Sequence, residues 1–141
     1  MPPANFQRHC LTLQSNATAS VEASAWGRAL AERAGLSERR IYALDLCIVE
    51  LVTNVVQHGY RDAPGEIRLQ LDLAPERAVL TIHDRAPAFD PLCLPAPAKP
   101  ASLDEATIGG YGVHMVRSAA SGCRYERRDG WNVFTASFGE A

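Results

Sequence analysis

Residues 37–60, SERRIYALDLCIVELVTNVVQHGY, constrain this chain more than any other stretch. Ser37 is suited to cap a helix, and Ile41, Leu44, Ile48, Leu51, Val52 and Val55 recur on one face at helical spacing. Leu46, Val49 and Val56 widen the apolar coverage. A helix that is apolar on more than one side must be packed on more than one side, so other elements have to surround it. Gly59 supplies a stop.

The flanking segments supply those elements. RHCLTLQ reads as a short first strand. SNATASVEASAWGRALAERAG offers polar caps and then a helix carrying Val21, Trp26, Leu30 and Ala34, closed by Gly35. EIRLQLDLAPERAVLTIHD alternates Ile67, Leu69, Leu71 and Leu73, then Leu80 and Ile82, with a hairpin turn at APER. RAPAFDPLCLPAPAKPASLDEATIGG is rich in proline and alanine and has no period; a loop this long in a compact domain is commonly functional. YGVHMVRSAAS is a short helix opened by glycines, and GCRYERRDGWNVFTASF a second hairpin turning at RDG. There is no repeat and no second domain, so residues 1–141 read as one domain.

A chain of 141 residues buries roughly 70% of the surface its unfolded form exposes, enough for a core and a pocket. Its net charge of -2 gives no basic field and argues against direct nucleic-acid binding. Cys10, Cys47, Cys93 and Cys123 form no C-x-x-C pair, so reduced thiols are expected rather than a zinc site. MPPANFQRHC lacks the pattern of a signal peptide, and no segment reads as an apolar span of a bilayer. The expectation is a soluble, cytoplasmic protein with no membrane partner.

Three places carry candidate chemistry. Four residues advance a helix by about 400°, so Glu50, Asn54 and His58 form one slanting stripe. On an arbitrary helix such a triplet marks a solvated face, and a single imidazole disfavours zinc. The sharper alternative is a hard-cation site, with the Asn54 oxygen suited to Mg²⁺ and Glu50 placed to orient or deprotonate a hydroxyl. Asp84 ends an apolar strand, where it either forms a turn or accepts a hydrogen bond from an exocyclic amine such as adenine's. Gly109, Gly110 and Gly112 open a helix and would let backbone N–H groups approach phosphate; a hinge or close packing is the competing account. The pattern is neither a Walker loop nor a Rossmann turn, since no Gly-Lys-Ser/Thr occurs and Met115 sits where a third glycine belongs.

Taken in order, ELVTNVVQHGY, DRAPAFDP and GGYGVHMV resemble the motifs of the Bergerat-fold ATP-binding family of gyrase, histidine kinases and MutL. Within it the chain most resembles the compact anti-sigma-factor serine/threonine kinases, from about Leu11 to Phe138. The resemblance implies an α/β (α+β) two-layer sandwich, a mostly antiparallel mixed sheet with helices on one face, and a lid over about residues 91–108. It implies ATP and Mg²⁺ as cofactors. Asn54 would bind the metal, Glu50 would be the catalytic base, and Asp84 would read the adenine amine. Ala86, Gly109, Gly110, Gly112 and Val113 would complete the nucleotide site. It also implies a transferase that phosphorylates an anti-sigma antagonist (an anti-anti-sigma protein) and sequesters a sigma factor in transcription regulation, and it suggests a homodimer. One departure stands out: the family has Asp-x-Gly where this chain has Asp84-Arg85-Ala86. The alternative is a non-catalytic or nucleotide-independent protein-binding module of the same fold.

Overall fold

In the computed structural model, which describes residues 6–90, 92 and 111–139, the alternating segments join one five-stranded sheet. Its strands are β1 (Gln7–Gln14), β2 (Glu66–Ala74), β3 (Arg77–Asp84), β4 (Gly122–Arg128) and β5 (Trp131–Phe138). They lie in the order β1-β2-β3-β5-β4, and every neighbouring pair is antiparallel. The mixed component expected from the sequence is therefore absent among the described strands. Hairpins and a return strand need no parallel crossover, which explains the difference.

Period-two alternation builds the core face. Ile67, Leu69, Leu71 and Leu73 of β2, Leu80 and Ile82 of β3, and Phe134, Ala136 and Phe138 of β5 are all buried. The opposite face carries Arg68, Thr81, His83, Arg124 and Thr135 and no described helix. The β4–β5 turn holds Asp129 at φ 52° and Gly130 at φ 84°, the pair of left-handed residues that matches the twist of a two-residue hairpin.

The helices α1 (Ala19–Arg33), α2 (Glu38–Asn54) and α3 (Tyr111–Ala119) cover the apolar face, with α2 in the middle. The Ser37 hydroxyl caps α2 by accepting from the Arg40 N–H at 3.2 Å. Leu44, Cys47, Ile48, Leu51 and Val52 of α2 are buried, and removing each large side chain from water contributes about 1.5–3 kcal/mol.

Two sequence expectations need correction here. The contact face of α1 is made of Ala19, Ala23, Gly27 and Ala31, while Val21 is 68% exposed and Trp26 and Leu30 are only half-buried. The reason is close approach: a β-carbon on Gly27 would lie 2.4 Å from Ile48 Cδ1. Small residues at every fourth position let α1 sink onto α2, and the larger ones flank the seam. Second, one segment does reach the apolar length of a bilayer span, because α2 runs past Asn54 to the expected stop at Gly59. It continues as a π-helical turn, Val55–Gly59, so that Glu38–Gly59 is a 22-residue helix apolar enough by composition to cross a membrane. Its flanks pack on α1, α3, β3 and β5, the surroundings of a core helix.

Candidate functional site

The register of the sheet assembles one polar cluster at its end. Asp84, last in β3, pairs with Asn132 of β5, and Asn132 pairs with Arg127 of β4. All three side chains therefore emerge on the core face, beyond the point where Ile82 and Phe134 have filled it. Asp84 and Asn132 are each only 6% exposed, and buried polar groups must find partners. They find each other: Asn132 Nδ2 donates to Asp84 Oδ1 at 2.8 Å, and the Ala86 N–H donates to the same oxygen at 3.0 Å. Burial raises the Asp84 carboxyl above the ordinary carboxylate range, opposed by these two donors and by Arg127 and His83.

Across from this cluster stands the C-terminal part of α2. Leu51, Asn54, Val55 and Gly59 form one wall of a cleft; Ile82, Asp84, Asn132 and Phe134 form the other, with Phe89 and Tyr125 also lining it. The π turn inserts one extra residue per turn and so re-aims the helix end, a device common at functional sites. Tyr60 then ties that end to the sheet. Its hydroxyl donates to the Glu66 carbonyl at 2.6 Å and accepts from the Arg85 N–H at 2.8 Å. Burial raises the Tyr60 phenol, so it stays a neutral donor.

The stripe seen in the sequence is split by the structure. Asn54 lines the cleft, and its amide makes no hydrogen bond among the described residues. Glu50, one turn earlier, is half-buried and is not among the cleft's lining residues. His58 is exposed. Beneath Glu50, the Cys47 thiol is pushed up to about 12, first by burial and then by the nearby Cys123 and Glu50. It is inert at neutral pH, and Cys10, Cys47 and Cys123 are all free thiols.

Asp84-Arg85-Ala86 divides between the two faces of the sheet. Arg85 turns to the open face, its guanidinium 4.3 Å from the Trp131 ring centroid. Ala86 is 1% exposed and keeps its φ outside the left-handed region. A β-carbon built on Gly59 would lie 3.2 Å from the Ala86 methyl. The methyl thus packs on a glycine at the helix end, and the backbone there does not require glycine. Of the glycine motif, Gly112 and Val113 lie in the first turn of α3; Gly109 and Gly110 lie outside the described residues, as does the expected lid apart from Leu92.

Sequence reasoning missed Asn132, Tyr125, Arg127 and Tyr60. One signal for Asn132 was available. In WNVFTASF it occupies an inward position with Phe134, Ala136 and Phe138, so a polar residue stands where the alternation demands an apolar one. The assembled cleft can present a carboxylate acceptor at one wall and, at the other, an amide oxygen with no partner among the described residues, separated by apolar side chains that would suit a flat ring. Among the described residues no group of three or more His, Cys, Asp or Glu could hold a metal alone, so a cation at Asn54 would take its other ligands from a bound substrate and water. That incomplete set fits Mg²⁺, which keeps waters and shares phosphate oxygens.

Comparison with known proteins follows the same lines. The family model described as a histidine kinase-like ATPase domain matches residues 13–138. The chain is 35% identical over 126 residues to the serine/threonine-protein kinase BtrW of Bordetella bronchiseptica, covering 89% of each chain. It is 23% identical over 113 residues to a serine-protein kinase RsbW of Bacillus cereus, covering 77% of this chain and 71% of that one. A crystal structure of the RsbU and RsbW domains of a Mycobacterium tuberculosis protein matches with a TM-score of 0.67 at 21% identity, over 94% of this chain and 32% of that longer one.

Proposed function

The chain belongs to the histidine kinase-like ATPase domain family, and from that premise we propose that it is a Mg-ATP-dependent serine/threonine protein kinase acting as an anti-sigma factor in partner switching. Its substrate is an anti-sigma antagonist protein, its second partner a sigma factor, and its setting the cytoplasm; we extend the reading to a homodimer and to a lid over about residues 91–108. One observation carries it. A single cleft sets the buried Asp84 carboxyl against an Asn54 amide that has no hydrogen-bond partner among the described residues, in a chain whose relatives are named serine or serine/threonine kinases.

In this reading Asp84 accepts from the adenine amine, and Leu51, Ile82 and Phe134 bound the ring. Asn54 would hold Mg²⁺, which supplies charge neutralisation at the phosphates. Gly110, Gly112 and the peptide of Val113 would cradle those phosphates at the start of α3. The protein hydroxyl loses its proton to Glu50, its oxygen bonds the terminal phosphorus, and the bond to the bridging oxygen breaks, releasing ADP. Asn54→Ala should abolish Mg²⁺-dependent nucleotide binding. Incubation with labelled ATP and candidate antagonists should label a serine or threonine; an antagonist that binds but never acquires label would overturn the assignment.

A second reading, a nucleotide-binding regulator without transfer, is favoured by the position of Glu50 outside the lining of the cleft. It predicts tight ATP binding with no phosphorylated product.

A further inference from the structure

Asn132 uses both ends of its amide, and the chemistry of its neighbours permits one orientation. At Oδ1 stand the Arg127 guanidinium at 3.1 Å and the Phe89 N–H at 3.4 Å, which can only donate, and the Tyr125 hydroxyl at 2.5 Å. At Nδ2 stand the carbonyls of Ala86 at 3.1 Å and Pro87 at 3.2 Å, which can only accept. A flipped amide would set donors against donors and acceptors against acceptors. Arg127 reinforces the arrangement, since the same nitrogen also donates to the Ala86 carbonyl at 2.8 Å. Nδ2 is therefore fixed as the donor facing Asp84 Oδ1. The Ala86 N–H occupies that oxygen as well, so a proton has no room there. Oδ2 makes no hydrogen bond among the described residues and is left as an acceptor beside the cleft.

We propose that Asn132, oriented by Tyr125 and Arg127, is a specificity-determining positioning residue: it holds Asp84 as a pure acceptor, and the cleft therefore selects purines that carry an exocyclic amine over those that carry a carbonyl at the same position. The inference rests on the nucleotide reading above and deepens it. A 6-oxo purine would bring an acceptor against Oδ2, and binding it would require Asp84 to take up a proton. The charged and titratable groups around Asp84 are Arg127, His83 and Tyr60; Arg127 donates to Asn132 and the Ala86 carbonyl, and the Tyr60 hydroxyl donates to the Glu66 carbonyl.

The test is calorimetric titration of ATP and of the 6-oxo analogue inosine triphosphate, each with Mg²⁺, from about pH 8 to about pH 6. Wild type should prefer ATP. Asn132→Leu, similar in shape but without donors, should narrow that preference by about 10- to 100-fold, the worth of a hydrogen bond to a charged group. Asn132→Asp should lose the preference at the high end and regain it as the pH falls, because the new carboxyl donates to Asp84 once protonated. Tyr125→Phe, which keeps the Arg127 contact, should narrow the preference less. Variants that weaken both nucleotides by one common factor, with Asn132→Asp showing no recovery, would overturn the proposal and leave the nucleotide reading intact. A wild type that binds neither nucleotide would instead overturn that reading. Carbon-13 titration of the Asp84 carboxyl in nucleotide-free protein then decides the positioning role alone: Asn132→Leu should raise its midpoint, and an unchanged midpoint refutes it.

Discussion

The two walls of the cleft are built on opposite plans. On the sheet side nearly every polar atom is already engaged: Asp84, Asn132, Arg127 and the Ala86 peptide form a closed network between strands of fixed register. On the helix side Asn54 stands at the junction of α2 with a π turn and makes no hydrogen bond among the described residues. The first plan suits recognition of a rigid group, because a preorganised acceptor loses little freedom on binding. The second suits a ligand that brings its own coordination, because an engaged amide would first have to break a bond.

The sharpest way to break this contrast is at the helix wall. If Glu50 is the base, Glu50→Gln lowers the rate of phosphoryl transfer by roughly 10²- to 10⁴-fold while ATP affinity stays within about twofold of wild type. Single-turnover kinetics separate the two. Equal rates for wild type and variant would assign Glu50 to structure and favour the reading without transfer.

At the sheet wall the expected loss is in binding. Asp84→Asn should weaken ATP by about 10- to 150-fold, since a hydrogen bond to a charged acceptor is worth about 1.5–3 kcal/mol. The same substitution exposes a pH signature. Burial raises the folded-state carboxyl above its unfolded value near 3.8, so the folded state binds the extra proton. The stability this contributes is full below that unfolded value and is lost as the pH rises through the raised one. Wild type should therefore gain stability relative to Asp84→Asn as the pH falls through this window, while its ATP affinity, which needs the ionised acceptor, declines. Thermal unfolding and titration across that range check the opposed slopes, and parallel slopes would detach Asp84 from the nucleotide.

The contrast also governs what the sequence could disclose. Strands, both hairpin turns and the central helix follow from alternation and helical spacing, because Leu69, Ile82, Phe134 and Ile48 each have one environment in which they are stable. Asp84 and Asn54 could be singled out because a polar residue beside an apolar run demands an explanation. The network around Asp84 was not legible, because Asn132 and Arg127 reach it only through strand pairing 43 to 48 positions away, and one sequence does not state its own register. The α1 seam was misread for a related reason. Alanine and glycine carry little apolar signal, yet at Gly27 the absence of a side chain is what fits. Gly27→Val should cost about 1–3 kcal/mol as overpacking against Ile48, read by denaturant unfolding, with ATP affinity unaffected. A neutral result would mean that α1 can retreat from α2 at no cost.

The smallest expected effect tests the junction where the two walls meet. Ala86 stands where the resemblance to the family leads one to expect a glycine, and a methyl group there could obstruct a nucleotide. The structure turns it instead toward Gly59, where it is buried, in a backbone conformation open to any residue. Ala86→Gly should therefore bring no gain in ATP affinity beyond about twofold. It should cost about 1–2 kcal/mol of stability, from one lost buried methyl and a freer unfolded chain. Its complement is Gly59→Ala, which places two methyls about 3.2 Å apart, so that one of them must give by a few tenths of an ångström. Combined with Ala86→Gly, the Gly59→Ala loss should largely disappear. Such compensation would identify the pair as the contact that sets the width of the cleft, and additive losses would show that the two residues pack independently.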